Sequence, residues 1–135
     1  MESEPKKPEP SIPKIIQEVG FDFSWSEPKV WALEVPEEEM PIQELIWHFD
    51  IPFLGEKGGV YNLTPREMME HPEQHQEEYQ RSLNADTTYP VDIMENKGRW
   101  LILDGLHRLM KLCLEGNTTV KVRKIPRSSI PDILE

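Results

Sequence analysis

The chain has 135 residues, a net charge of −10 at pH 7 and one cysteine, Cys113. That length suits one domain; a lone cysteine excludes an internal disulfide and fits a reducing compartment. The negative balance argues against non-specific nucleic-acid binding, which depends on neutralising phosphates. No apolar run approaches the roughly 18 residues that span a bilayer, and Met1 to Pro13 is charged and proline-rich where a signal peptide is apolar. The expectation is a cytoplasmic protein without a membrane partner.

Residues 1–13 carry four prolines, several charges and one isoleucine. They cannot build a core and are read as a disordered tail, leaving 14–135 as a single domain. From Lys29 to Val35 the residues Trp31, Leu33 and Val35 alternate with Val30, Ala32 and Glu34, the period of a first strand ended by Pro36. Glu37, Glu38 and Glu39 then suit the positive end of a helix dipole. Ile42, Leu45, Ile46 and Phe49 follow at amphipathic-helix spacing, up to Pro52. Gly55 to Gly59 reads as a loop.

Thr64-Pro65-Arg66-Glu67 is a capping box with proline at the first helical position. Pro72 interrupts, and Glu73 to Asn84 continues as a polar, solvated helix, so residues 64–85 form a helical insertion. Val91 to Met94 and the near-continuous apolar Arg99 to Leu103 read as a hairpin around Glu95-Asn96-Lys97-Gly98, with the second strand central in a sheet. Leu106 to Glu115 is a helix stopped by Gly116, and Thr118 to Ile125 is a β-branched strand ended by Pro126. The fold class expected is α+β: a small mixed sheet with packed helices.

Charge is unevenly spread. Residues 1–80 hold 18 acids and 6 bases, whereas Lys97 to Arg127 hold 8 bases and 2 acids. A local cationic stretch of this kind suits a small anion, and equally an ordinary basic sheet edge.

The chemistry concentrates in Asp104-Gly105-Leu106-His107-Arg108, where an apolar strand turns into a helix. The first amides of a helix have no intrahelical partner and attract anions. Gly105 permits a sharp turn and close approach. His107 and Arg108 add directed donors, the guanidinium gripping two phosphate oxygens at once. Asp104 fits three roles: helix cap, metal ligand, or acceptor of a proton from a reacting hydroxyl. His71 and His75 stand four apart, but Pro72 lies between them and no third ligand is evident, so no metal site is assigned. Trp25, Trp31, Trp47 and Trp100 lie at strand and helix spacings typical of core, and Cys113 is placed in the core as a small hydrophobe.

Strand, D-G-x-H-R loop, short helix, glycine and a final Val/Ile-rich strand together resemble the ParB/sulfiredoxin superfamily. The likeness covers Tyr89 to Pro126 well and Val30 to Phe49 loosely. Sulfiredoxins carry a Gly-Gly-Cys-His-Arg loop; Leu106 stands at the cysteine position, so that sulfur chemistry is not expected. Chromosome-partitioning ParB proteins bind CTP through a Gly-Glu-Arg-Arg loop and carry a helix-turn-helix domain afterwards. Nine residues follow Pro126, and no such domain is expected. The free-serine kinase branch has Asp-Gly-His-His-Arg, matched by Asp104, Gly105, His107 and Arg108.

The resemblance implies nucleotide phosphates on Gly105, Leu106, His107 and Arg108, and ATP, ADP or CTP with magnesium as cofactor. It implies a catalytic role for Asp104 and a general base among Glu37, Glu38 and Glu39, with Glu37 and Glu39 carried forward. The leading expectation is a nucleotide- or phosphate-binding domain, in its most concrete form a phosphotransferase acting on a small hydroxyl compound. The alternative is a non-catalytic protein-interaction module with a vestigial or regulatory pocket.

Overall fold

The computed structural model describes residues 12–135; most of the proposed tail lies outside the described residues. A short helix α1 (Lys14–Val19) precedes α2 (Glu27–Trp31) and strand β1 (Glu37–Pro41). Two 3-10 turns, Ile42–Glu44 and Ile46–Asp50, lead through a loop to α3 (Pro65–Glu70) and α4 (Gln76–Leu83). Hairpin β2 (Val91–Asn96) and β3 (Arg99–Asp104) follows, then α5 (Leu106–Leu114), β4 (Thr119–Lys124) and α6 (Ile130–Ile133). The four strands form one mixed sheet in the order β1-β4-β2-β3, with β2 and β4 parallel and the outer pairs antiparallel. The fold is α+β.

Several local signals act as the sequence suggests. Lys97 and Gly98 both take positive φ, 52° and 83°, which closes a two-residue hairpin turn whose twist matches its strands. Thr64 Oγ1 accepts from the Glu67 amide at 3.1 Å and starts α3. Gly116 turns left-handed at φ 82° just beyond α5.

Three expectations are corrected. The alternation from Lys29 to Val35 does not form a strand: Ser26 accepts from the Lys29 amide, Pro28 sits in the first turn, and Glu27–Trp31 is helical. Local start chemistry outweighs a weak period-2 pattern. Glu37 to Glu39 do not open a helix but form the acidic edge strand β1. The reason lies across the sheet, where Glu37 faces Arg123 and Glu39 faces Lys121, and Glu38 pairs with Lys124 at 2.9 Å. Opposite charges on facing strands favour that pairing. The apolar stripe behind it is retained: Ile42, Leu45 and Phe49 are buried, carried by 3-10 turns. Finally, β3 is an edge strand and not a central one.

The sheet buries an apolar cluster on each face. Val91, Ile93, Val120 and Val122 join Leu109, Met110, Phe49 and Met68 on one side, with Cys113 packed at its border. Met94, Leu103 and Ile125 join Val30 and Ile133 on the other, with Phe21, Phe23 and Trp25 packed around them. Consecutive strand residues point to opposite faces, so a strand with both faces covered reads as a continuous apolar run even at an edge. That explains why Arg99 to Leu103 looks central.

The open edge of β3 is partly satisfied by His48, which is buried. Its Nδ1 donates to the Leu45 carbonyl at 2.7 Å and its Nε2 accepts from the Ile102 amide at 3.1 Å. The bond accepted at Nε2 requires the neutral ring. Burial, with a smaller contribution from the Arg99 charge, outweighs the bond to the Leu45 carbonyl and lowers the His48 pKa from 6.5 to about 4. A histidine depressed in the folded state contributes stability that is complete above pH 6.5 and lost as pH falls towards 4. Unfolding titrations in urea should therefore show about 3 kcal/mol lost across that window. A His48→Gln variant should start less stable at pH 7 and lose far less over the same range; equal losses in the two proteins would contradict this role.

Candidate functional site

Sheet register places four charged side chains in one row across the sheet. Glu37 of β1 faces Arg123 of β4, Arg123 is level with Asp92 of β2, and Asp92 faces Asp104 of β3. Arg123 and Asp92 are buried. The Arg123 Nε donates to Asp92 Oδ1 at 2.7 Å, and its two terminal nitrogens donate to the carbonyls of Leu33 at 2.7 Å and Val30 at 3.0 Å. Burial raises the Asp92 pKa, and the Arg123 bonds oppose that. Arg123 therefore ties the end of α2 to the sheet with its donors already committed.

The β3–α5 corner follows from Gly105. Its φ of 114° is left-handed, and a Cβ there would lie 2.9 Å from Arg108 Nη2 and 3.2 Å from the Val91 Cα. A side chain fits neither the torsion nor the space. Leu109 is the first α5 residue whose amide bonds back, to the Gly105 carbonyl at 3.0 Å. No side chain caps the helix, so the amides of Leu106, His107 and Arg108 stand at an uncapped, positive end.

Asp104 is thus not the cap. Its Oδ2 accepts from the Trp31 indole Nε1 at 2.7 Å and from Arg108 Nη2 at 3.1 Å. Glu27, in the first turn of α2, lies beside the same carboxylate. Partial withdrawal from water, followed by the neighbouring Asp104 carboxylate, holds the Glu27 carboxyl above its usual range, against the opposing pull of Arg108. Asp104 is consequently a hub joining α2, β3 and α5.

His107 and Arg108 diverge. His107 Nε2 meets Glu78 Oε2 at 2.7 Å, and Glu78, buried on α4, also accepts from Arg81 at 3.0 Å. The polar helix expected to be solvated is held to α5 by this pair. Arg108 instead lines a cavity of about 660 Å³ together with Trp31, Glu37, Asp86, Tyr89, Pro90, Asp92 and Arg123. Its Nε is buried and has no partner.

Of the glutamates, Glu37 lines this cavity, whereas Glu38 pairs with Lys124 and Glu39 is exposed opposite Lys121. Leu106 packs against the larger apolar cluster. Asp86 sits at the rim, its Oδ1 accepting from the Thr88 hydroxyl at 2.6 Å and amide at 3.0 Å; these bonds, hydroxyl first, lower its pKa.

Asp92, Arg123, Asp86, Tyr89 and Glu27 lack any motif. The trace of the first two is a charge inside otherwise apolar strand sequence, Val91-Asp92-Ile93 and Val122-Arg123. Trp31, expected in the core, is exposed beside the cavity. Among the described residues no three His, Cys, Asp or Glu side chains converge to hold a metal; His75 bonds Glu56 at 2.6 Å while His71 lies 3.8 Å from Glu73. Nor is any helix long and apolar enough to cross a membrane among those residues.

No protein-family model, curated protein or solved structure matches the chain.

The buried pair gives a direct prediction. Arg123→Met leaves Asp92 buried without its cation, which should cost about 3–5 kcal/mol, measured by urea unfolding at pH 7. A loss below about 1 kcal/mol would show that the pair does not hold the sheet and α2 together.

Proposed function

We propose that the cavity beside Gly105 binds a nucleotide or other phosphate-bearing small molecule, in a domain of ParB/sulfiredoxin-like architecture. One observation carries this reading: an arginine with a buried, unpartnered Nε stands in a cavity at the uncapped start of α5. A buried donor without an acceptor is costly, and the partly exposed Arg108 side chain on the cavity wall can turn it to an anion there. Arg108 sits in the uncapped first turn of α5, so the positive end of that helix lies beside the same anion. A volume of about 660 Å³ suits a small ligand.

In the phosphotransferase form, Arg108 grips phosphate oxygens and Glu37, also on the cavity wall, accepts the proton of the attacking hydroxyl. Asp104, whose Oδ2 already accepts from Trp31 and Arg108, positions Arg108. Among the described residues the side chains form no metal cage of their own; magnesium with ATP, ADP or CTP would be held mainly by the phosphates. His107 serves by fixing α5 to α4.

The second reading, a protein-interaction module, draws on the exposed Trp31 and Tyr89 beside a largely acidic chain. The two separate in a melting experiment with ATP, ADP, CTP and pyrophosphate, with and without magnesium. A ligand at a hundred times its Kd adds about 2.7 kcal/mol to the folded state, a rise of several degrees. Arg108→Ala should weaken binding at least tenfold, with the unliganded melt as a folding control. Failure of every ligand to shift the wild type would leave the interaction module as the better account.

A further inference from the structure

Apolar rings are rarely left in water without a reason when they gather at one concavity. Among the described residues the two most exposed large hydrophobics are Tyr89, at 62%, and Trp31, at 57%. Both line the cavity that holds Arg108. The contrast with Phe21, Phe23 and Trp25 is sharp: those three rings pack on one another at 5.0–5.9 Å around the second apolar cluster.

Neither exposed ring hangs on a loose segment. Trp31 is fixed at its polar edge by the indole bond to Asp104. The helix behind it is tied down by Arg123 on the Val30 and Leu33 carbonyls and by Lys29 on the Leu134 carbonyl. Tyr89 closes a turn built on Asp86, whose side chain holds Thr88 and whose carbonyl accepts from the Tyr89 amide at 3.3 Å. Pro90 then fixes the entry to β2. Two exposed rings beside a guanidinium whose Nε lacks an acceptor describe a ligand with two parts, one flat and one anionic.

We infer that Trp31 and Tyr89 form a ring-binding subsite, so that the ligand is a phosphate ester bearing a flat aromatic or heteroaromatic ring, whose ring lies on these side chains while its phosphate meets Arg108. The inference rests on the phosphate-site reading and adds to it: inorganic phosphates and sugar phosphates lack the part that these residues recognise. Stacking on an aromatic side chain tolerates any π-face, so the subsite selects for flatness before it selects among rings.

Isothermal titration of the full chain with ADP, pyridoxal 5′-phosphate, ribose 5-phosphate and pyrophosphate, with and without magnesium, tests this. Ring-bearing esters should bind at least tenfold more tightly than ribose 5-phosphate. Preference for ADP identifies a nucleotide; preference for pyridoxal 5′-phosphate identifies another flat-ring ester. Tyr89→Leu should remove most of the ring advantage and leave pyrophosphate binding unchanged, whereas Trp31→Leu, which also loses the bond to Asp104, is read against Trp31→Phe, which loses the same bond. Trp31→Phe keeps a ring and should retain most of the ring advantage. Both positions are exposed, and melting curves confirm that the variants fold. If ribose 5-phosphate binds as well as ADP and pyridoxal 5′-phosphate, or if Tyr89→Leu weakens pyrophosphate as much as the ring-bearing esters, or if Trp31→Leu and Trp31→Phe lose the ring advantage equally, the ring subsite is wrong and the phosphate site stands. If none of the four binds the wild type, both fall together.

Discussion

The arrangement of this protein depends on one buried ion pair. Asp92 and Arg123 sit on neighbouring parallel strands, and the arginine spends its remaining donors on two carbonyls near the end of α2. A buried guanidinium needs its charge matched and its N–H groups bonded, and here both needs are met by elements far apart in sequence. The pair thereby fixes α2 over one end of the sheet. From α2 come Glu27 and Trp31, and through Trp31 the contact with Asp104. Without that anchor the cavity loses one of its walls.

The same register row explains the electrostatics of the cavity. Acid and base alternate from Glu37 to Arg123 to Asp92 before ending on a second acid, Asp104, and this last acid recruits Arg108 from the next helix. Arg108 is thus held by a carboxylate through one terminal nitrogen while its Nε stays free. An arginine in that state is oriented but not saturated, which is the condition for gripping an incoming anion with little reorganisation. Gly105 permits the geometry, since any larger residue would meet the guanidinium at the turn.

Much of the C-terminal half was legible because its signals are local. The Lys97-Gly98 turn, Gly105, Gly116 and the Val/Ile-rich final strand each act through torsion or short-range patterning. In the N-terminal half the alternation of Lys29 to Val35 yields to local helix-start chemistry at Ser26 and Pro28, and at β1 a long-range partner decides the outcome. Glu37 to Glu39 look like a helix start in isolation and become a strand because β4 offers Arg123, Lys121 and Lys124. Likewise Asp104 to Arg108 could be located from their residue types, but not the partners that divide their roles. His107 is drawn to α4 by Glu78, and Arg108 is drawn to the cavity by Asp104. Tyr89 and Asp86 join the site only because the hairpin brings their turn beside α2, and no sequence spacing encodes that proximity.

Whether an anion meets the start of α5 is best measured by following the backbone amides and the arginine Nε–H resonances of 15N-labelled protein during titration with ADP and with pyrophosphate. The account predicts saturable shifts at Leu106, His107 and Arg108, and a downfield move of the Arg108 Nε–H as it gains its missing acceptor. Shifts absent from these four signals, or confined to the separate groove between Trp25 and Glu135, would contradict it.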